Sequence, residues 1–136
     1  MQSTLLLPLR SVLVIDDDPS ILEIVMTLLH MRGFRATGAM NGREGLEELF
    51  RTRHDAILCD IVMPEMDGIA FLHALRSKPE LNDIPLIFMS AFPDPRPALG
   101  DIGAQTAGFL RKPFSEEDLM DLLGEAVPPL IDDRGA

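Results

Sequence analysis

The sequence predicts an α/β protein built on a doubly wound, five-stranded parallel sheet, with helices on both faces in a three-layer α/β/α arrangement. Two observations lead to this prediction. Apolar runs of strand length alternate with segments of helical periodicity, which is the pattern of a parallel sheet with crossover helices. Polar side chains also follow directly after several apolar runs, where the carboxyl ends of parallel strands meet. The 136 residues suffice for one domain with a proper core.

Five apolar runs give the predicted strands, and the second is the weakest because it contains polar residues. They are Val12–Ile15, Arg35–Gly38, Ala56–Cys59, Ile84–Met89 and Gly108–Leu110. Proline has no amide hydrogen to donate within a sheet, so Pro85 is tolerable only near the start of the fourth strand.

The segments between and after these runs are predicted to be helices. The longer ones are Pro19–Met31, about Arg43–Arg51, about Ile69–Ser77 and a last helix that ends near Ala126. Asp18 before a proline is expected to cap the first helix, and Gly33 to end it. Ser115, with Asp118 three residues later, has the spacing of a capping box.

The region of the fourth helix departs from this regular pattern. Three prolines alternate with two charged residues between positions 93 and 97. A proline pushes the preceding residue away from the α region, so no helix can run through this stretch. Gly100 and Gly103 weaken the segment that follows. We therefore predict a short fourth helix that begins no earlier than Pro97.

Composition excludes some classes of function and partner. The formal net charge of −10 disfavours direct binding of nucleic acid through a basic face. The single cysteine, Cys59, excludes an internal disulfide and favours a reducing compartment, so we expect a cytoplasmic protein. The apolar Leu5–Leu7 run is interrupted by Pro8 and is too short to span a membrane. We expect an irregular leader over 1–10, one domain over 11–127, and a tail or linker stub over 128–136.

Five polar residues are predicted to meet at the carboxyl edge of the sheet. Three are carboxylates, and the others are a hydroxyl and an ammonium group: Asp16, Asp17, Asp60, Ser90 and Lys112. Mg²⁺ prefers a few carboxylates together with water and phosphate oxygens, and a lysine offers phosphate a compact positive charge. The set therefore suits a divalent cation and a phosphoryl group. Crowded carboxylates repel one another without a cation, so at least one carboxyl pKa should be raised.

Four motifs in this order identify a resemblance. They are Val-Leu-Val-Ile-Asp-Asp-Asp-Pro at 12–19, Cys-Asp-Ile-Val-Met-Pro-Glu-Met-Asp-Gly at 59–68, Met-Ser-Ala at 89–91 and Phe-Leu-Arg-Lys-Pro-Phe at 109–114. Together they resemble the receiver domain of two-component response regulators, of the chemotaxis-regulator type, whose fold is flavodoxin-like. The likeness covers nearly the whole chain, from about Ser11 to Val127.

The resemblance implies a phosphorylation-dependent signalling switch and not an enzyme that acts on a separate metabolite. Asp60 would accept a phosphoryl group from a phosphohistidine of a sensor histidine kinase or a histidine phosphotransfer protein. Asp17 would bind Mg²⁺ directly, Asp16 would hold it through water, and the Val62 carbonyl would complete the protein ligands. Mn²⁺ is the expected substitute for Mg²⁺.

The same resemblance assigns roles on the other side of the site. Lys112 would pair with the phosphoryl oxygens, and the Lys112–Pro113 bond would be cis. Ser90 would bind the attached phosphoryl group, and Phe109 would swing inward behind it to signal to an output surface. The downstream partner, either an effector protein or an output domain, is not identified by the sequence, and neither nucleic acid nor membrane is expected to bind directly.

Two residues depart from the common pattern of the family. Val62 is apolar where many relatives have a polar group, and Phe92 is bulky and apolar as well. Together they could shield the acyl phosphate from water, which predicts slow self-dephosphorylation. The histidines His30, His54 and His73 are expected to have no ligand role.

Three alternative functions stay open at this stage. The first is a receiver that works as an unphosphorylated scaffold or adaptor. The second is a phosphohydrolase of the haloacid-dehalogenase type, suggested by Asp16-x-Asp18 after a strand, although Pro19-Ser20 and the short chain fit it badly. The third is a flavin-binding domain of similar topology, which the acidic loop after the first strand disfavours because it repels phosphate.

Overall fold

The computed structural model describes residues 10–127, and its core is a five-stranded, all-parallel sheet. The strands are β1 Ser11–Ile15, β2 Arg35–Ala39, β3 Ala56–Asp60, β4 Leu86–Ser90 and β5 Gly108–Arg111. Their spatial order is β2-β1-β3-β4-β5. The predicted fold class is confirmed.

Helices cover both faces of the sheet. They are α1 Pro19–Met31, α2 Gly42–Arg51, α3 Gly68–Arg76, α4 Arg96–Leu99, α5 Asp101–Ala104 and α6 Glu116–Ala126. Alternate strand residues feed two separate apolar cores, because successive side chains of a strand point to opposite faces. Leu13 and Ile57 pack with the helix residues Leu49 and Phe71 on one face. Val14 and other strand residues pack with α1 and α6 on the other face.

The strand order places a crevice at the carboxyl edge of the sheet. β1 pairs with β2 on one side and with β3 on the other. The crossover connections leave β1 and β3 in opposite directions, and the loops at their carboxyl ends therefore separate and leave a cleft between them. Ile15 of β1 pairs with Cys59 of β3. The residues that follow them, Asp16 and Asp60, therefore reach this cleft side by side.

The predicted helix caps are present. The Asp18 side chain accepts a hydrogen bond from the Ser20 amide at the start of α1. Gly33, with φ of 89°, follows the end of the same helix, where a left-handed backbone favours glycine. The Ser115 hydroxyl accepts from the Asp118 amide at the start of α6.

The predicted starts of the fourth strand and the fourth helix are wrong. The fourth strand begins at Leu86 and not at Ile84, since Pro85 lies before the strand and not within it. The fourth helix begins at Arg96, one residue before the predicted limit of Pro97. A single turn can start there because its first residues need no amide donor within the helix, which also makes proline acceptable.

The chain in this region forms two short helices in place of one. α4 ends at Leu99, the φ of 66° at Gly100 breaks the helical path, and α5 begins directly after Gly100. Gly103 allows the two turns to approach closely, because a β-carbon there would lie 2.4 Å from the Arg96 carbonyl oxygen.

The expected leader over 1–10, apart from Arg10, and the expected tail over 128–136 lie outside the described residues. Between residues 10 and 127, no helix has both the length and the apolar character needed to cross a membrane.

Candidate functional site

Asp16 lies at the centre of the cleft and is fully buried. Its two carboxylate oxygens have different partners. Oδ1 accepts a hydrogen bond from the Asp18 amide at 2.9 Å. Oδ2 accepts one from Lys112 Nζ at 2.7 Å, across the sheet from the other end of the sequence. The buried negative charge is therefore balanced by the lysine ammonium, as buried charges require.

Asp60 ends β3 beside Asp16 and is 8% exposed. Its Oδ1 accepts a hydrogen bond from the Ile61 amide at 2.8 Å, and its Oδ2 lies 3.6 Å from Lys112 Nζ. Burial and the negative charge of Asp16 raise the pKa of the Asp60 carboxyl, and the Lys112 ammonium opposes them only in part. The raised carboxyl pKa expected from the sequence is present at this residue.

Asp17 completes a group of three carboxylates at the mouth of the cleft. It is exposed, while Asp16 and Asp60 are buried, and one oxygen from each lies within 4.8 Å of the others. Three carboxylates at this separation, with one open to solvent, fit a small divalent cation that retains some of its water. The donor set contains oxygen only, which suits Mg²⁺ better than zinc.

The loop after Asp60 turns back sharply at the edge of the cleft. The Gly68 amide donates to the Ile61 carbonyl at 2.7 Å. A β-carbon at Gly68 would lie 2.4 Å from the Asp60 carbonyl oxygen, so only glycine fits at the start of α3. Val62, whose carbonyl was predicted as a metal ligand, lies in this loop and is 58% exposed. The requirement for Gly68 was not part of the sequence prediction, although its place at the end of the second motif is a signal for it.

Ser90 and Lys112 are joined on the opposite side of the cleft. The Lys112 amide donates to the Ser90 carbonyl at 2.8 Å, which ties the end of β4 to the residue after β5. The Ser90 side chain is buried, and its Oγ accepts a hydrogen bond from the Phe92 amide at 3.0 Å. Its hydroxyl hydrogen remains a donor for a group in the cleft. The Lys112–Pro113 bond is cis, as the resemblance implies.

Phe109 lies on β5 beside Phe88 of β4 and is partly buried against the core on that face. The structure thus brings together Asp16, Asp17, Asp60 and Lys112, with Ser90 and Phe109 on the adjoining strands. The roles of these residues stay predictions.

A cluster of hydrogen-bonded polar side chains around a buried histidine lies away from the cleft, at the amino edge of the sheet. His54 is 1% exposed, its Nδ1 lies 2.7 Å from Ser11 Oγ, and its Nε2 lies 3.1 Å from Glu48 Oε2. Hydrogen bonds from Arg51 and His54 lower the pKa of the Glu48 carboxyl. Sequence patterns carry no signal for this buried, hydrogen-bonded histidine, because one of its two partners, Ser11, comes from a distant segment.

Comparison with known proteins gives a family match over most of the chain. The family model described as the response regulator receiver domain matches residues 12–124. The chain is 35% identical over 125 residues to the transcriptional regulatory protein PrrA of Mycobacterium leprae, covering 92% of this chain and 51% of that protein. It is 30% identical to the response regulator MprA of Mycolicibacterium vanbaalenii, covering 96% of this chain and 55% of the relative. The chain thus spans about half the length of these curated relatives.

Solved structures show the same similarity. The chemotaxis protein CheY4 of Vibrio cholerae has a TM-score of 0.81 and 29% identity, with 88% of this chain and 100% of that chain covered. The response regulator TrrA of Thermotoga maritima, solved in complex with Mg²⁺ and BeF, has a TM-score of 0.78 and 25% identity, with 88% and 100% covered.

Proposed function

Because this chain belongs to the response regulator receiver domain family, whose members are switches in two-component signalling, we propose that Asp60 is its phosphoacceptor and a phosphohistidine its donor. The donor histidine would belong to a sensor histidine kinase or a histidine phosphotransfer protein. The observation that carries this proposal is the convergence of three carboxylates and Lys112 at one cleft.

The transfer forms one bond and breaks one. An Asp60 carboxylate oxygen attacks phosphorus, the phosphorus–nitrogen bond of the donor breaks, and its electron pair returns to the imidazole. Oδ1 is already engaged by the Ile61 amide, so we assign the attack to Oδ2, which lies on the Lys112 side. The hydrogen bond to Oδ1 holds the carboxylate in one orientation, and orientation is a large part of what phosphoryl transfer requires.

Asp17, Asp16 and Asp60 would hold a magnesium ion, with the Val62 carbonyl as a further ligand and Mn²⁺ as a substitute. When bound, the ion offsets the negative charge that separates a carboxylate from a phosphoryl group. The TrrA structure with Mg²⁺ and BeF supports this proposal by similarity. Asp17 is the exposed member of the three, so it is the first to meet an ion that enters from solvent.

Lys112 would exchange partners when the phosphoryl group arrives. Its ammonium is hydrogen-bonded to Asp16 and lies 3.6 Å from Asp60 Oδ2. A phosphoryl group on Oδ2 would place new anionic oxygens within its reach. The Ser90 hydroxyl would donate to the same group, and Phe109 would then move inward beside β4 to alter the surface of β5 and its neighbours.

The output remains a proposal because the chain spans only part of its relatives. PrrA and other relatives are named transcriptional regulators, and we propose that this receiver likewise controls an effector domain or a separate effector protein. The net charge of −10 disfavours direct DNA binding by the receiver itself. We propose a cytoplasmic location, and self-dephosphorylation slow enough that the chain acts as a switch.

Labelling by acetyl phosphate tests the acceptor and the cofactor together. The native chain should gain one phosphoryl group with Mg²⁺ and none with EDTA, as measured by intact mass. Asp60→Asn should gain none, while the matched variant Asp55→Asn, at the other edge of the sheet, should be labelled like the native chain. Labelling of Asp60→Asn at the native rate would contradict the assignment. Absence of labelling in every chain would favour a scaffold, and sustained turnover of phosphate esters would favour a phosphohydrolase.

A further inference from the structure

We propose that Asp18 is a positioning residue for the magnesium site, and that it acts by fixing the orientation of the two carboxylates that precede it. Its side chain caps α1, while its backbone amide holds one oxygen of Asp16. Asp18 itself is not a member of the group of three carboxylates at the cleft. The inference rests on the magnesium site proposed above and assigns to it a residue that acts through its neighbours.

Asp18 makes hydrogen bonds to both sides of the connection between β1 and α1. Its amide donates to Asp16 Oδ1 at 2.9 Å, and its own Oδ1 accepts from the Ser20 amide at 2.9 Å. Its carbonyl accepts the first hydrogen bond of α1, from the Leu22 amide at 3.1 Å. One residue therefore joins the start of the helix to the buried carboxylate of the cleft.

Both ends of this connection are held in place by the rest of the fold. The Asp16 amide donates to the Ala39 carbonyl at 3.0 Å, which ties the end of β1 to β2. α1 is fixed on the sheet through Leu22, which belongs to the same apolar core as Val14 of β1. The conformation of the short turn between these fixed ends therefore depends on the hydrogen bonds that Asp18 makes.

The turn determines where the two preceding carboxylates point. Asp16 Oδ1 is bound to the Asp18 amide and Oδ2 to Lys112 Nζ, so this carboxylate is held in one orientation. Asp17 lies between the two residues that the first of these bonds joins, and it is exposed. Its direction is thus set by the backbone of the turn. The convergence of Asp16, Asp17 and Asp60 to within 4.8 Å requires the turn in this arrangement.

Pro19 restrains the same turn from the helix side. A proline restricts the residue before it to extended backbone, and Asp18, with φ of −96° and ψ of 110°, lies in that region. Extended backbone is also what a residue that caps a helix requires. A substitution at Asp18 can therefore remove the side-chain bond to Ser20 while the restraint from the proline remains.

The expected effect is moderate, because only one hydrogen bond is removed. Replacement of an aspartate cap by alanine shifts the local equilibrium by about fivefold, whereas asparagine keeps the cap. Once the cap is lost, a fraction of the molecules has a turn in which the carboxylates do not converge, and the apparent affinity for Mg²⁺ falls with that fraction. We expect Asp18→Ala to bind Mg²⁺ about two- to fivefold more weakly than Asp18→Asn.

Titration of the full chain with MgCl₂, followed by amide NMR, tests this expectation. Asp18→Asn and Asp18→Ala have the same net charge, so their comparison isolates the cap from the electrostatic attraction of the Asp18 carboxylate. Ser115→Ala is the matched control, because it removes the cap of α6, a hydrogen bond from the Asp118 amide that involves none of the three carboxylates. The control should lower the stability of the chain about as much as Asp18→Ala and leave the Mg²⁺ affinity at the native value.

Hydrogen exchange at the amide of residue 18 gives a second measurement that needs no metal. In the native chain this amide is bound to Asp16 Oδ1. Its protection factor should be about fivefold lower in Asp18→Ala than in Asp18→Asn. Ser115→Ala should leave the protection of this amide at the native value.

Equal Mg²⁺ affinities of Asp18→Asn and Asp18→Ala would overturn the proposal, as would an equal loss of affinity in Ser115→Ala. The result is separable from the function proposed above. A native chain that binds Mg²⁺ and is labelled by acetyl phosphate, with no difference between the two Asp18 variants, would reject the positioning role alone. A native spectrum that does not respond to Mg²⁺ would reject the magnesium site and the role of Asp18 together.

Discussion

Lys112 forms its closest ion pair with Asp16, at 2.7 Å, and not with the proposed phosphoacceptor Asp60, at 3.6 Å. The lysine therefore balances a fully buried carboxylate in the phosphate-free structure. The same ammonium is close enough to meet an incoming phosphoryl group without a large movement of the chain. The Lys112 ammonium thus stabilises the phosphate-free fold, and it would neutralise charge on the phosphoryl group in the phosphorylated state.

We expect Lys112→Met to lower the free energy of unfolding by about 3 kcal/mol at neutral pH, because it leaves the buried Asp16 carboxylate without its cation. Urea denaturation without metal measures this loss. Lys78→Met, away from the cleft, is the matched control and should change stability by less than about 0.5 kcal/mol. Addition of Mg²⁺ should restore part of the stability of Lys112→Met. A loss no greater than that of the control would show that Asp16 does not depend on the lysine.

Asp60→Asn should stabilise the metal-free fold by about 1–2 kcal/mol at neutral pH. Two like unit charges 4 Å apart repel by roughly 4 kcal/mol at an effective dielectric near 20. The expected gain is smaller than this repulsion because the Lys112 ammonium offsets part of it. The folded-state pKa of Asp60 is raised above its unfolded value. Its stabilising contribution is therefore complete below the unfolded pKa and is lost as pH rises through the folded pKa.

The advantage of Asp60→Asn over the native chain should accordingly disappear as the pH falls below the ordinary carboxyl pKa of 3.8. Denaturation curves from acidic to neutral pH test this dependence. Asp121→Asn, exposed on α6, is the control and should show no comparable gain. A native chain that is more stable than Asp60→Asn at neutral pH without metal would contradict the crowded-carboxylate explanation.

The sequence predicted the sheet and the cleft because both depend on local patterns. Buried strands such as Ala56–Asp60 appear as short apolar runs, and the acidic residues after them mark the carboxyl edge. The start of the fourth helix at Arg96 was missed because a single helical turn tolerates the prolines that exclude a longer helix. The sequence could not predict that Lys112 pairs with Asp16 in the absence of phosphate, since this depends on distances between side chains from different strands.

His54→Gln should lower the free energy of unfolding by about 2 kcal/mol, because it disturbs the buried contacts with Ser11 and Glu48. Labelling by acetyl phosphate should stay at the native rate, since the residue lies at the opposite edge of the sheet from Asp60. The exposed His73 gives the control variant His73→Gln, which should alter neither property. Loss of labelling in a folded His54→Gln chain would show coupling between the two edges.

The lifetime of the phosphoryl group tests the two apolar departures from the family pattern. Val62 and Phe92 are 58% and 61% exposed, they follow Asp60 and Ser90 by two residues each, and the Phe92 amide donates a hydrogen bond to Ser90 Oγ. We expect these apolar side chains to give the phosphoryl group a lifetime longer than seconds, because neither can orient a water molecule for attack on the acyl phosphate.

Val62→Asn supplies an amide that can orient such a water molecule. It should speed dephosphorylation by roughly tenfold, below the ~100-fold of an efficient general base. Val62→Ala, which is smaller but still apolar, is the control, and loss of the phosphoryl group is followed by intact mass after the donor is removed. Equal rates in the two variants, or a native lifetime of only seconds, would show that these side chains do not govern the access of water.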